Sequence, residues 1–382
     1  MRTWIVLLCL ALTACASTPP APPRPDHLLR DDLFGAPSMR IDAADLFALS
    51  APMRDFLTHE IAPRIRTRGA PGALAEALQK KSRLQFDYDA AMTRNAAEAF
   101  DARAANCLSL VLLAAAFARE LEVPVRYQSA YLEETWSRSG DLLVKSGHIN
   151  IALGARLMEA GSRRWVDPLT IDFLPAAEIR GMRIVEIGES TVVAMYMNNR
   201  AIEVLAQGRL DDAYAWVRAA ITQDPRFLIS FNTLGVIYAR RGEPAAAAPA
   251  FEHVLARDPD DKQAMANLAE TLARLGRTAE AAEWRRRLAQ VEPHPPLHFF
   301  NLGLAAMQRA DFRAARDLFA REATRADDNP QLHYWLALAN FRLGDLDAAR
   351  RQLAQARDNS TSRGDRELYA AKLAWLRSVG AH

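Results

Sequence analysis

Residues 231–260 read FNTLGVIYARRGEPAAAAPAFEHVLARDPD, and this stretch decides the fold of the C-terminal half of the chain. Its pattern returns every 34 residues from about residue 199 to the end. Two columns keep this spacing: Gly208, Gly242, Gly276, Ala310 and Gly344, then Ala213, Ala247, Ala281, Ala315 and Ala349. A fixed period of this length is the signature of a repeat array, so we expect stacked units rather than one compact domain.

Two further columns support the period. They are Leu234, Leu268, Leu302 and Leu336, which we expect to begin the first helix of each unit, and the closing residues Pro225, Pro259 and Pro293. Together the columns resemble the tetratricopeptide repeat over five units, about 170 residues. The resemblance implies antiparallel helix pairs that turn at the glycine, and a groove that binds a protein or peptide partner. Neither helix can bury its apolar stripe alone, so stacked neighbours build one continuous core.

Some positions depart from this pattern. Arg200 occupies the leucine column of the first unit, and Ala310 replaces the glycine of the fourth. We interpret Arg200 as a sign that the first unit is adapted to contact the preceding domain. Residues 366–378, RELYAAKLAWLRS, have an amphipathic helical pattern and predict the capping helix that such an array needs.

Aromatic side chains on the first helices are candidates for lining the groove. They are Phe231, Tyr238, His298, Phe299, Phe300 and Tyr334. The alternative for each is a place in the core, because aromatic residues at helical spacing usually face inward.

The N-terminus has the pattern of an export signal. Residues 1–14 contain Arg2 and an apolar run too short to span a bilayer as a stable helix. The run ends in LTAC, residues 12–15, which resembles the lipobox of bacterial lipoproteins. This resemblance implies cleavage before Cys15, lipidation of Cys15 and, because Ala16 follows, attachment to the outer membrane facing the periplasm. The alternative is an uncleaved anchor with an incidental cysteine.

Residues 15–40 are expected to form a tether. Prolines are concentrated between Pro19 and Pro25, and this composition favours an extended, semi-rigid segment over a packed one.

The three cysteines have different expected fates. Cleavage removes Cys9 and lipidation blocks Cys15, which leaves Cys107 as the only free thiol of the mature chain. In an oxidising compartment a lone thiol is a liability unless it is buried or used. Cys107 is therefore either a small buried hydrophobe or a functional group.

Residues 41–192, between the tether and the repeats at 193–382, have mixed patterns. Apolar spacing predicts helices over 45–59, 73–81 and 108–121, and alternation predicts strands over 122–128, 142–151 and 164–166. A helix followed by a run of strands is typical of an α+β domain.

Cys107 lies where the 108–121 helix begins, with Asn106 as its expected cap. Unsatisfied backbone N–H groups and the helix dipole favour a negative charge at such a position. A nucleophilic thiol also needs a base and an orienting group. His148 on the 142–151 strand and Asp167 after the 164–166 strand are the candidates for these roles.

The order of Cys107, His148 and Asp167 resembles the transglutaminase-like superfamily, which has a papain-like fold. The sequences NCLSLVLLAAAFARELEVPVRYQ and WVDPLT resemble its helix-to-strand and acid motifs, and the resemblance covers about residues 95–175. It implies that Cys107 is the nucleophile, His148 the general base and acid, and Asp167 the orienting carboxylate.

Two details of this resemblance matter later. Asp172 is a competing carboxylate, which we rank below Asp167 because it lies beyond Pro168. The family often has a tryptophan just after the histidine, whereas Ile149 and Asn150 follow it here.

Composition argues against several classes of partner. Lys plus Arg (48) nearly balance Asp plus Glu (46), so the charge gives no reason to expect nucleic acid. The eight His are scattered without a Cys/His ligand set, and no glycine-rich phosphate loop occurs, so we expect neither a metal nor another cofactor.

The expected architecture is an α+β, papain-like transglutaminase-like domain followed by an all-α tetratricopeptide repeat solenoid. Our first hypothesis is a lipid-anchored enzyme that uses its thiol for amide hydrolysis or acyl transfer on a protein or peptide, with the repeats for protein–protein interaction. The alternative is a non-catalytic envelope scaffold that binds its partners through the repeats.

Overall fold

The computed structural model describes residues 25–79, 86–89, 92–139, 142–154, 157–158, 165–166, 168–173, 183–294, 297–327, 329–360 and 363–379. The expected signal peptide, Cys15 and Asp167 lie outside these residues, as does the side chain of His148. Cleavage, lipidation and the geometry of the triad therefore stay predictions.

The region before the repeats contains four helices. They are α1 (Ala51–Phe56), which continues through a π turn at Leu57–Ile61, α2 (Ala62–Gln79), α3 (Ala96–Ala102) and α4 (Cys107–Glu120). The helix expected over 45–59 is broken, because a 3-10 turn ends at Phe47 and a new helix begins after Ser50 with Pro52 in its first turn. The long helix α4 agrees with the expected 108–121 within one residue.

Eight strands follow from the same region. They are β1 (Asp87–Tyr88), β2 (Ala104–Ala105), β3 (Val125–Ser139), β4 (Leu142–Leu153), β5 (Leu157–Met158), β6 (Trp165–Val166), β7 (Leu169–Ile171) and β8 (Arg183–Ile187). Four of them form an antiparallel sheet in the order β7-β4-β3-β8. Ile149 and Ile151 of β4 are fully buried in the core that contains α4, so this part of the chain is α+β.

The repeats are five helix pairs and a final helix. The pairs are α5 (Glu189–Ala206) and α6 (Leu210–Gln223), α7 (Leu228–Arg241) and α8 (Pro244–Leu255), α9 (Lys262–Arg274) and α10 (Thr278–Val291), α11 (His298–Gln308) and α12 (Phe312–Ala323), and α13 (Pro330–Arg342) and α14 (Leu346–Asn359). The final helix is α15 (Arg363–Val379). We number these pairs as units one to five.

The leucine column lies in the middle of the first helices, so the expectation that it begins them is wrong. Helix α7 starts at Leu228, six residues before Leu234, because the chain returns to helix soon after Pro225. Leu234 and Leu268 are fully buried, as a core position requires.

The glycine column holds left-handed backbone between the two helices of each unit. Gly242 and Gly344 have φ of 92° and 81°, and Ala310 takes the same place with φ 60°. An L-residue pays a steric cost there that glycine does not. Unit four therefore carries local strain at Ala310.

Changing Ala310→Gly is expected to raise the free energy of unfolding by about 1 kcal/mol, because it removes this strain. The reverse change Gly344→Ala is the matched control: no atom lies within 4 Å of its added Cβ, and we expect a loss of similar size. Urea unfolding of both variants measures the effect. A less stable Ala310→Gly chain would contradict the strain argument.

The hydrophobic core is divided within the array. One cluster of buried side chains extends from Leu28 through the α+β region to Ala281 of unit three, while units four and five pack around two further clusters. Leu302 lies next to this division and is 45% exposed, although Leu234 and Leu268 in the same column are fully buried. The division thus leaves an apolar core position of unit four open to solvent.

Candidate functional site

Cys107 is the first residue of α4 and is partly exposed, while residues 108–118 behind it are buried. Asn106 caps the helix as expected, because its side-chain oxygen accepts the Ser109 N–H at 2.9 Å. The apolar body of α4 fixes the helix in the core and leaves the thiol at its accessible end. This arrangement suits a reactive thiol and also a small residue at the core edge.

Helix α4 packs against β4, the strand that carries the backbone of His148 opposite Ala130. The structure therefore brings the elements of two predicted site residues together. The side chain of His148 and the whole of Asp167 lie outside the described residues.

Asp172, the competing carboxylate, follows β7 directly. Strand β7 pairs with β4 so that Ile171 lies opposite Ile151. The side-chain amide of Asn150 donates to Asp172 Oδ2 at 3.0 Å, and Asn150 is 2% exposed. Since Asn150 is two positions from His148 on β4, Asp172 is held beside the strand of the expected base.

A buried polar network lies behind the capped end of α4. Asn106 donates through Nδ2 to Thr93 Oγ1 at 2.9 Å, and Ser109 Oγ accepts the Arg94 N–H at 2.8 Å. Thr93 and Asn106 are 2% and 8% exposed. The loop before α3 is thus fixed to the residues on both sides of Cys107.

The same network reaches the first repeat helix, α5. The Thr93 N–H donates to Glu203 Oε1 at 2.6 Å, Arg200 donates to the Thr93 carbonyl at 3.4 Å, and Asn199 donates to Thr93 Oγ1 at 3.2 Å. Arg200 also pairs with Glu203 at 2.7 Å. Burial raises the pKa of Glu203, although its hydrogen bonds from Thr93 and the Arg200 charge oppose this. The prediction that Arg200 adapts the first unit to the preceding domain is confirmed.

Most of the expected groove aromatics are core residues instead. Phe231 and Tyr238 are fully buried, and Phe299 and Phe300 are 5% and 6% exposed. His298 and Tyr334 are partly exposed, and Tyr334 stacks on Tyr369 of the capping helix. Sequence reasoning could not separate the two faces, because one helical period describes both.

Residues 28–41, which we call the strap, lie on units one and two. The sequence assigned them to a free tether, and that expectation is wrong for this part of the segment. The Tyr238 hydroxyl accepts the Arg30 N–H at 2.9 Å and donates to the Leu28 carbonyl at 2.8 Å. Burial raises the pKa of Tyr238 to about 12, so its hydroxyl keeps the proton that it donates. Leu28 itself is 6% exposed.

The middle of the strap binds α6 through two side chains. The Tyr214 hydroxyl donates to Asp31 Oδ1 at 2.6 Å, and Arg218 pairs with the same oxygen at 3.0 Å. The ring of Phe34 stacks on Tyr214 with 4.0 Å between centroids, and the guanidinium of Arg241 lies 4.4 Å from the Phe34 centroid. An acidic and an aromatic side chain three residues apart are therefore both matched.

The end of the strap is held through its backbone at the start of α6. The Gly35 N–H donates to Asp211 Oδ1 at 3.1 Å, and the Ser38 N–H donates to Asp212 Oδ1 at 2.7 Å. Arg209 donates to Ser38 Oγ at 2.9 Å. Although burial alone would raise the pKa of Asp212, the hydrogen bonds from Ser38 and Arg209 hold it below its usual value.

A cavity of about 790 Å³ lies between the strap and α6. Its lining includes Phe34, Met39 and Arg40 of the strap and Tyr214 and Arg218 of α6. The strap is thus attached at several points but does not fill the space beneath it.

Two searches of the described residues concern other kinds of site. Within those residues, no helix combines the length and the apolar character that crossing a membrane requires. In the same part of the chain, no three His, Cys, Asp or Glu side chains are grouped so as to hold a metal ion.

Comparison with known proteins gives similarity in the repeats. A tetratricopeptide repeat model matches residues 232–295 and 300–362. Among solved structures, a thermophilic TPR protein from Thermus thermophilus is 20% identical, with 47% of this chain and 99% of that chain covered and a TM-score of 0.28. The pilF protein of Pseudomonas aeruginosa is also 20% identical, with 48% and 84% covered and a TM-score of 0.29.

No curated protein sequence matches the chain. The matched residues begin in the second helix pair and end in the fifth, and their helices meet at the predicted 34-residue spacing. The C-terminal part of the chain is therefore an all-α solenoid of tetratricopeptide repeats.

Proposed function

We propose that the protein is a scaffold that binds a protein or peptide partner through its repeats. The observation that carries this proposal is Leu302, a core position of the repeat that is 45% exposed at the division between units three and four. An open apolar side chain inside a repeat array offers a partner the burial that a neighbouring unit supplies elsewhere.

Replacing Leu302→Glu is expected to weaken partner capture by at least about tenfold, since burying a charge in an apolar contact is costly. In-cell photo-crosslinking from position 302 of the full chain identifies the partner, and capture by Leu302→Glu is then measured against it. Leu368→Glu is the matched control, because Leu368 is 49% exposed on the capping helix. Equal capture by native chain and Leu302→Glu would contradict the proposal.

A second function is favoured by a separate observation. Cys107 presents a partly exposed thiol at the capped start of α4, and α4 packs against the strand of His148. The resemblance to transglutaminase-like enzymes supports thiol-dependent amide hydrolysis or acyl transfer on a protein or peptide. In this proposal His148 activates the thiol and Asp167 or Asp172 orients the imidazole.

For this second function, a thiol-directed probe is expected to label Cys107 near neutral pH, and His148→Ala should slow the labelling about tenfold or more because the thiolate loses its base. His59→Ala is the matched control, since His59 is exposed on the π turn after α1. Comparing Asp167→Ala with Asp172→Ala assigns the carboxylate. Unchanged labelling in His148→Ala would exclude an activated thiol and leave the scaffold function intact.

The cellular location is also a proposal. The lipobox resemblance at residues 12–15 supports lipidation of Cys15 and attachment to the outer membrane, with both domains in the periplasm. Under either function the anchor would hold the chain at the membrane surface where its partners occur.

A further inference from the structure

The surface under the strap has the features of a peptide-binding site. Four of its hydrogen bonds go to strap backbone groups, namely the Leu28 carbonyl and the N–H groups of Arg30, Gly35 and Ser38. Contacts of this kind recognise an extended chain whatever its side chains are. The repeat units supply all four partners from side chains, so the site belongs to the solenoid.

Specificity comes from three positions of the strap, each three residues apart. Leu28 is buried, Asp31 is bound by Tyr214 and Arg218, and Phe34 is stacked on Tyr214. Gly35 follows Phe34 at a tight place, because a Cβ there would lie 3.4 Å from Asp211 Oδ2. The surface therefore fits a leucine, an aspartate and a phenylalanine in the order Leu-x-x-Asp-x-x-Phe, followed by a small residue.

The strap is attached in a way that permits exchange. Leu28 is its only buried residue, and the others are exposed or partly exposed. The cavity of about 790 Å³ beneath Phe34 and Met39 means that much of the surface of α6 is left uncovered. A segment that buries so little apolar area opens more readily than the helices below it.

We propose that units one and two form a second binding surface, for an extended partner peptide of the Leu-x-x-Asp-x-x-Phe type, and that the strap occupies this surface within the chain until the peptide displaces it. The strap is then an intramolecular competitor that sets a threshold for the partner. Its high effective concentration makes a weak intramolecular contact sufficient for this role. The surface is distinct from Leu302, so the two binding sites can fail or succeed separately.

The test uses the full chain and a fluorescein-labelled peptide of residues 26–42. Asp31→Asn with Phe34→Ala weakens the strap without changing the surface of the repeats. Fluorescence anisotropy should show at least about tenfold tighter binding of the peptide to this variant than to the native chain, because the intramolecular competitor is weakened. Adding Arg218→Glu should remove the gain, and Arg218 is half exposed, so the fold is preserved.

Three results would overturn the proposal. The peptide could bind the weakened chain no better than the native chain, or Arg218→Glu could leave its binding unchanged. In the native chain, hydrogen exchange of the Arg30, Gly35 and Ser38 amides should be faster than that of the α7 core, and exchange only at the rate of the core would show a strap that never opens. Light scattering gives a further check, since a dimer with no gain in peptide binding would mean exchange with a second copy instead.

Discussion

Replacing Glu322→Ala is expected to lower the free energy of unfolding by about 3 kcal/mol, because it removes the acceptor for several buried N–H groups at once. Glu322 lies in α12 and is 2% exposed, yet its carboxylate caps the neighbouring helix α11. It accepts the N–H groups of Phe299 at 2.8 Å, Leu297 at 3.2 Å and Phe300 at 3.3 Å. The side chain of Leu297, the residue before α11, cannot perform this function.

The charge and the hydrogen bonds can be separated by a second variant. Glu322→Gln keeps an acceptor oxygen and should lose only about 1 kcal/mol, since hydrogen bonds to a charged group are the stronger kind. Asp317→Ala on the same helix is the control, because its side chain is 65% exposed and its loss should be within about 0.5 kcal/mol. Urea unfolding measures all three variants. A loss for Glu322→Ala no larger than that for Asp317→Ala would contradict the capping role.

The repeats could be predicted from sequence because each unit repeats the same packing problem every 34 residues. Stacking dictates which positions must be small, so the turn glycines form visible columns. One column was missed. Gly235 and Gly303 lie where an added Cβ would come within 2.5 Å of Phe251 and Phe319, respectively, and the two glycines are separated by two periods of the repeat. A search for small residues at that spacing would have found them.

The start of α4 was predictable for a local reason. Asn106 before an apolar run is a capping signal that depends on residues three positions apart, and the cap forms as expected. The fold of the strap was not predictable in this way. Its partners Asp211, Tyr214 and Tyr238 lie more than 170 residues along the chain, and composition alone says nothing about contacts over such separations.

Restoring the repeat pattern in the first unit with Arg200→Leu is expected to lower the free energy of unfolding by about 3 kcal/mol, although leucine is the residue of this column in the other units. The change leaves the Glu203 carboxylate without its cation in a site where the two side chains are 18% and 16% exposed. It also removes the hydrogen bond to the Thr93 carbonyl. Breaking one partner of a buried pair costs more than the pair itself contributes.

The pH dependence gives a check on the cause. Burial already raises the pKa of Glu203 and Arg200 lowers it, so Arg200→Leu should raise that pKa further. A carboxyl group with a raised pKa in the folded state contributes stability below its unfolded pKa and loses it as pH rises through the folded value. Urea unfolding should therefore show a smaller cost of Arg200→Leu at pH 5 than at pH 8.

Two further variants decide whether the stranded carboxylate is responsible. In Arg200→Leu with Glu203→Gln, the amide oxygen still accepts the Thr93 N–H but carries no charge, so more than half of the loss should be recovered. Arg277→Leu is the matched control, because Arg277 and Glu280 form a pair of the same spacing with side chains 44% and 53% exposed, and its cost should be within about 0.5 kcal/mol. If the double variant is no more stable than Arg200→Leu at pH 8, the loss comes from packing rather than from charge. Recovery would mean that the junction between the α+β region and the repeats depends on this ion pair, and that the first unit departs from the repeat pattern for that reason.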